Sequence, residues 1–130
     1  MDDVRKERSG WRDELISARH RMWGWDVPCV DLDFLLIEYD NHIPRALIEY
    51  KNERATTFLL DKLPSGIEAI KRLGDTASIP VFVCRYASDF SWMKVGAINK
   101  MAVDFLTVRV KLMSEYEYVK FLYSIRGRKM

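Results

Sequence analysis

Residues 31–51 constrain the fold most. Asp31-Leu32-Asp33-Phe34-Leu35-Leu36-Ile37-Glu38-Tyr39 and Ala46-Leu47-Ile48-Glu49-Tyr50-Lys51 are apolar, β-prone runs. Between them lies Asp40-Asn41-His42-Ile43-Pro44, rich in turn-forming residues. The segment reads as a hairpin. Side chains alternate along a strand, so Glu49 and Lys51 share a face, as do Asp31 and Asp33. Three carboxylates and an ammonium then converge on an apolar scaffold. Stability alone does not call for that arrangement, whereas a metal site does.

Register sets a condition on this site. Directly opposed residues of an antiparallel pair lie on the same face. Asp33 joins Glu49 and Lys51 only if paired residue numbers sum to an even value, as with 33 opposite 49. A plain two-residue turn at Asn41-His42 pairs 40 with 43, an odd sum, and sends Asp33 to the other side. The sequence therefore predicts a three-residue loop or a β-bulge at 40–44. Leu35, Ile37 and Leu47 share the acid face, which is unusual for a merely solvated surface.

The 130 residues suit a single domain. Hydrophobic residues make up 48% of the chain, enough for a packed core. The formal charge is only +2, so any nucleic-acid contact must come from a local basic patch. Cys29 and Cys84 lie in apolar, strand-like segments without CxxC spacing, and are expected to be buried, reduced thiols. The N-terminus lacks an apolar leader core, and no apolar run approaches the roughly 18 residues of a membrane span. A soluble, cytoplasmic protein without a membrane partner is expected.

Along the chain, Ser9 is placed to cap a helix over Trp11–Arg21, with Trp11, Leu15, Ala18 and Met22 as its apolar stripe. Strands follow at about 29–39 and 45–51. Residues 52–64 mix strand and helix formers and are read as a mobile or partner-ordered loop. Ser65-Gly66-Ile67-Glu68 has the pattern of a capping box and opens a helix through Ile67, Ile70 and Leu73, with Gly74 as a stop or weak point. Ile79–Tyr86 suits a central strand buried on both faces. Ser88–Ser91 reads as a turn, Trp92–Ile98 as a strand and 102–111 as another. Ser114-Glu115-Tyr116-Glu117 is a second capping box. It opens a final helix with Tyr118, Phe121, Leu122 and Ile125 inward and Gly127 at its end. A central mixed sheet flanked by helices is the economical α/β solution.

An acid on one strand and Glu-x-Lys on the next, followed by a helix and a strand, resembles the PD-(D/E)XK nuclease superfamily. The resemblance covers residues 10 to about 99, which it implies as the core, with a C-terminal strand and helix over 102–126. Within it Ala46–Lys51 looks much like the motif strand of small phage and prophage nuclease-like proteins. Ala46–Lys51, Asp31-Leu32-Asp33-Phe34 and Arg85-Tyr86-Ala87-Ser88-Asp89-Phe90 carry it. It implies a restriction-endonuclease-like αβββαβ core, whose first strand is not evident here. It also implies a deoxyribonuclease dependent on Mg²⁺ or Mn²⁺. Asp33 and Glu49 would bind the metal, helped by the main-chain carbonyl of Tyr50, and Lys51 would assist the attacking water. Asp31 competes with Asp33 for the first acid position. Asp33 is preferred because it lies nearer the turn, and no literal Pro-Asp pair is present, since Pro28 stands three residues before Asp31. Glu14 would supply the further acid that many members place on the first helix. DNA is the implied partner, and a homodimer is expected from the resemblance and from exposed aromatics.

The chemistry is coherent on its own terms. Mg²⁺ takes hard oxygen ligands and keeps several waters, so one or two carboxylates suffice. An adjacent ammonium stabilises developing phosphate charge. Arg12, Arg19 and Arg21 on the first helix, Lys71 on the second and Arg85 are candidate phosphate contacts, which position a nucleic acid without reading its sequence. Trp23 and Trp25 are the tryptophans best placed for a partner. His20 and His42 have no metal-ligand spacing. The alternative reading is a catalytically inactive nucleic-acid-binding or protein-interaction module on the same fold.

Overall fold

The computed structural model describes residues 14–23 and 29–127. The chain divides into two compact units, Met1–Val30 and Asp31–Met130. The first unit holds α1 (Glu14–Met22). Ser9 and Trp11, its expected cap and first apolar residue, lie outside the described residues, and Leu15 and Met22 are exposed.

The second unit is α/β. Its elements run β1 (Phe34–Glu38), β2 (Ile43–Asn52), α2 (Ser65–Ala77), β3 (Val81–Tyr86), β4 (Met93–Ala97), α3 (Lys100–Leu106), β5 (Val110–Met113) and α4 (Glu115–Arg126). The five strands form one mixed sheet in the order β1-β2-β3-β4-β5. Only β2 and β3 are parallel, and α2 makes the crossover between them. β3 is the middle strand, as its nearly continuous apolar run predicts. Only two described strands precede the crossover helix, where an αβββαβ core has three.

Each sheet face carries its own core. On one face Ala46, Ile48, Phe82, Cys84, Val95 and Ala97 pack with residues of α3 and α4. On the other, Leu47, Val81 and Ile98 pack with Ile67 and Ile70 of α2. Odd-numbered β2 residues therefore look towards α2 and even-numbered ones towards α4. No helix among the described residues is long and apolar enough to cross a membrane.

Several local expectations need correction. Residues 102–111 do not form one strand, because α3 occupies the first half and β5 begins at Val110. The reason is Asn99. Its Oδ1 accepts from Ala102 N and so caps α3. The 65–68 capping box does not form either. Pro64 takes the cap position, Ser65 is already helical, and Glu68 instead reaches Arg72 at 3.5 Å. The box at Ser114 and Glu117 does form, with both reciprocal bonds, and Gly127 ends α4 in the left-handed region.

Gly74 does not stop α2, which runs three residues further to Ala77. It marks the close approach of α2 to β3. A Cβ there would collide with Val81 Cγ2 and stand 3.1 Å from the Ile79 carbonyl oxygen. Gly74→Ala should therefore lose about 1–2 kcal/mol, overpacking outweighing a helix-propensity gain of about 1. A urea midpoint at or above wild type would remove the packing role.

Residues 53–63 are tethered rather than left open. Arg85 Nη2 donates to the carbonyls of Glu53 and Ala55, each at 2.5 Å. Phe58, Leu60 and Leu63 pack on the α2-side core, and Leu59 pairs with Lys62 in an isolated bridge.

Candidate metal and nucleic-acid site

The hairpin meets the parity condition through a bulge. At the turn Glu38 pairs with Ile43, an odd sum, across a four-residue loop. The buried Glu38 carboxylate holds that loop, accepting from Asp40 N at 3.2 Å and Asn41 N at 2.8 Å. Arg45 is then the extra residue, because Ile37 pairs with Pro44 but Leu36 with Ala46. From there the sums are even, and Phe34 opposite Ile48 places Asp33 opposite Glu49. The bulge falls one residue beyond the predicted window.

Asp33, Glu49 and Lys51 thus share the α2 face. Tyr50 N donates to Asp33 Oδ2 at 3.0 Å, which fixes the Asp33 carboxylate beside Glu49. Asp33 is exposed, while Glu49 retains only 8% of its accessible surface. A solvated hairpin face would not bury a carboxylate in this way. Burial first, and the Asp33 carboxylate second, push the Glu49 carboxyl up from 4.5 to about 7, and Lys51 pulls it back only in part.

That shift carries a stability consequence. The folded chain holds the Glu49 proton more tightly than the unfolded chain does. The resulting stabilisation is fully present below pH 4.5 and is lost as pH rises through about 7. Glu49→Gln should therefore stabilise the metal-free protein at pH 8, by about 1–3 kcal/mol, and much less at pH 4. Melting curves of both proteins at the two pH values test this, and equal gains at each would refute it.

The donor set suits a hard divalent cation. Two neighbouring carboxylates, one of them buried, are what Mg²⁺ or Mn²⁺ stabilises. Among the described residues no cluster of three or more His, Cys, Asp or Glu side chains occurs, so water and substrate oxygens would complete the shell. Asp31 sits in the exposed extended segment before β1. Glu14 begins α1, in the other unit, and its side chain lies outside the described part. The ring of Tyr50 points to the α4 side, where its hydroxyl meets that of Tyr118 at 2.5 Å.

Sequence reasoning missed a basic row beside the acids. Lys51 pairs with Arg85 across the parallel seam, and Arg85 pairs with Lys94 on β4. All three share the α2 face. Among the described residues the Lys94 ammonium makes no ion pair or hydrogen bond. The signal was present in the alternation of Val81, Val83 and Arg85 with Lys94 and Gly96, but strand register was needed to read it. Arg85 has one nitrogen committed to the 53–55 carbonyls. Lys71 lies half-buried on α2, and Arg19 and Arg21 are exposed on α1. Arg12 and Trp25 lie outside the described residues.

The cysteines part company. Cys84 is buried, and burial pushes its thiol up to about 11, as an inert core residue requires. Cys29 is exposed, contrary to expectation, with Sγ 3.0 Å from His20 Nε2 within the first unit. A scan of family models, a search of curated proteins and a search of solved structures return no match to this chain.

Proposed function

We propose that this chain is a Mg²⁺- or Mn²⁺-dependent deoxyribonuclease built on a restriction-endonuclease-like core. The observation that carries the reading is buried Glu49 beside Asp33, with Lys51 on the same face of the same strand. A metal held by Asp33 and Glu49 would polarise the scissile phosphate and make its bound water more acidic. Asp33, held by Tyr50 N, keeps its oxygens beside Glu49. Lys51 places positive charge where the pentavalent phosphate builds negative charge, and orients the attacking water. Lys94 and Arg85 extend that charge along the sheet and attract the DNA backbone. A homodimer belongs to the same proposal, and light scattering showing a monomer at working concentration would count against it.

The test is cleavage of labelled linear, single-stranded, flap and four-way-junction DNA with each metal. Metal-dependent cutting of any of these supports the reading. DNA binding without cutting, and without thermal stabilisation by Mn²⁺, would instead identify a catalytically inactive nucleic-acid-binding module.

A further inference from the structure

Between the loop at 56–60 and the sheet lies a groove of about 330 Å³. Lys51, Arg85 and Lys94 line it on the sheet side, and Phe58 and Leu59 on the loop side. Gly96 also lines it, at a position where a Cβ would stand 3.1 Å from Val83 Cγ1. Leu59 is 73% exposed, an apolar side chain held at a basic surface. Three cations beside an apolar wall suit a ligand that is both anionic and flat-faced. A duplex offers the anion but not the flat face, because its base faces are covered by stacking and only edges and phosphates are presented. The volume is also at the small end of ligand pockets, about 300–1,000 Å³, which suits one ring rather than a stack.

We infer that this groove receives one unpaired nucleotide, its base against Phe58 and Leu59 and its phosphate on the Lys51–Lys94 row. The nucleotide belongs to a strand end or single-stranded segment, or is a free nucleoside monophosphate, which has the same chemistry. The inference rests on the nuclease reading, because Lys51 joins the groove to the acid pair and so delivers an unpaired strand to it. Preference for unpaired DNA then comes from base-face contact rather than from reading sequence.

The test is binding in EDTA, by fluorescence anisotropy, of labelled oligo-dT and of a blunt duplex of equal length. Oligo-dT should bind about 10-fold more tightly, and Lys94→Ala and Leu59→Ala should each weaken it about 5-fold. Both residues are exposed, and circular dichroism checks that the variants stay folded. Competition by thymidine 5′-monophosphate supports a groove open to free nucleotides. Lack of competition, with both variants still weakened, supports one confined to strands. Equal binding of duplex and single strand, no binding, or unchanged affinity in both variants would overturn the inference. Because no metal is present, the two ideas fail separately. Groove binding without any cutting sinks only the nuclease reading, and cutting with no such preference sinks only the groove.

Discussion

Lys51→Ala is expected to lower metal-dependent DNA cutting about 100-fold or more, and Glu49→Ala at least as far. The two losses have different origins. Glu49 is nearly buried, and its carboxyl is unfavourably charged until a cation arrives. Its removal therefore weakens metal binding, and raising Mn²⁺ should recover part of the rate. Lys51 is half-buried on the same face, and its removal leaves the carboxylate pair in place. Lys51→Ala should still be stabilised by Mn²⁺ in a thermal melt while cutting slowly, and Glu49→Ala should show neither effect. Initial rates on a labelled substrate, read beside melting temperatures, separate the two. A Lys51→Ala variant that cuts at the wild-type rate would remove Lys51 from the chemistry.

Asn99→Ala should be the most damaging single change to the fold, costing about 2–4 kcal/mol. Asn99 retains only 2% of its accessible surface, and its amide serves three elements. Oδ1 accepts from Val81 N and from Ala102 N, both at 3.0 Å. Nδ2 donates to Asp75 Oδ1 at 3.1 Å and to Ile79 O at 3.0 Å. Alanine would leave the N–H that begins β3 unpaired, uncap α3 and release the end of α2 together. Asn99→Asp would keep both accepted bonds but place a second carboxylate against Asp75, so it should recover only part of the loss. Urea unfolding of both variants tests this, and an Asn99→Ala loss below about 1 kcal/mol would show that water replaces the amide.

The sequence made the acid pair legible because alternation and parity are one-dimensional rules. They placed Asp33 with Glu49 and demanded an irregularity, although not at Arg45, since the carboxylate grip of Glu38 on its own turn has no sequence signature. The central position of β3 followed from its nearly continuous apolar run, and α4 from its capping box. The strand expected over 102–111 fails because the cap that starts α3 is a buried asparagine whose other bonds come from distant segments. Ser65 and Glu68 carry the letters of a capping box, but Pro64 displaces it. The basic row was invisible for a related reason. Lys51, Arg85 and Lys94 become neighbours only once a parallel pair and a hairpin are both in register.

The sheet consists of two locally wired halves, β1–β2 and β3–β4–β5, joined by a single parallel seam. The antiparallel neighbours are closer in sequence, with only α3 between β4 and β5, whereas the seam must wait for the longer segment carrying α2 and is the slow, non-local pairing. The carboxylate pair belongs wholly to the first half. The basic row begins on that half with Lys51 and finishes on the second with Arg85 and Lys94. A nascent chain would therefore present Asp33 and Glu49 together before any groove exists to deliver a strand to them. If the chain engages nucleic acid as proposed, folding order would withhold that capacity from the incomplete molecule until the parallel seam has formed.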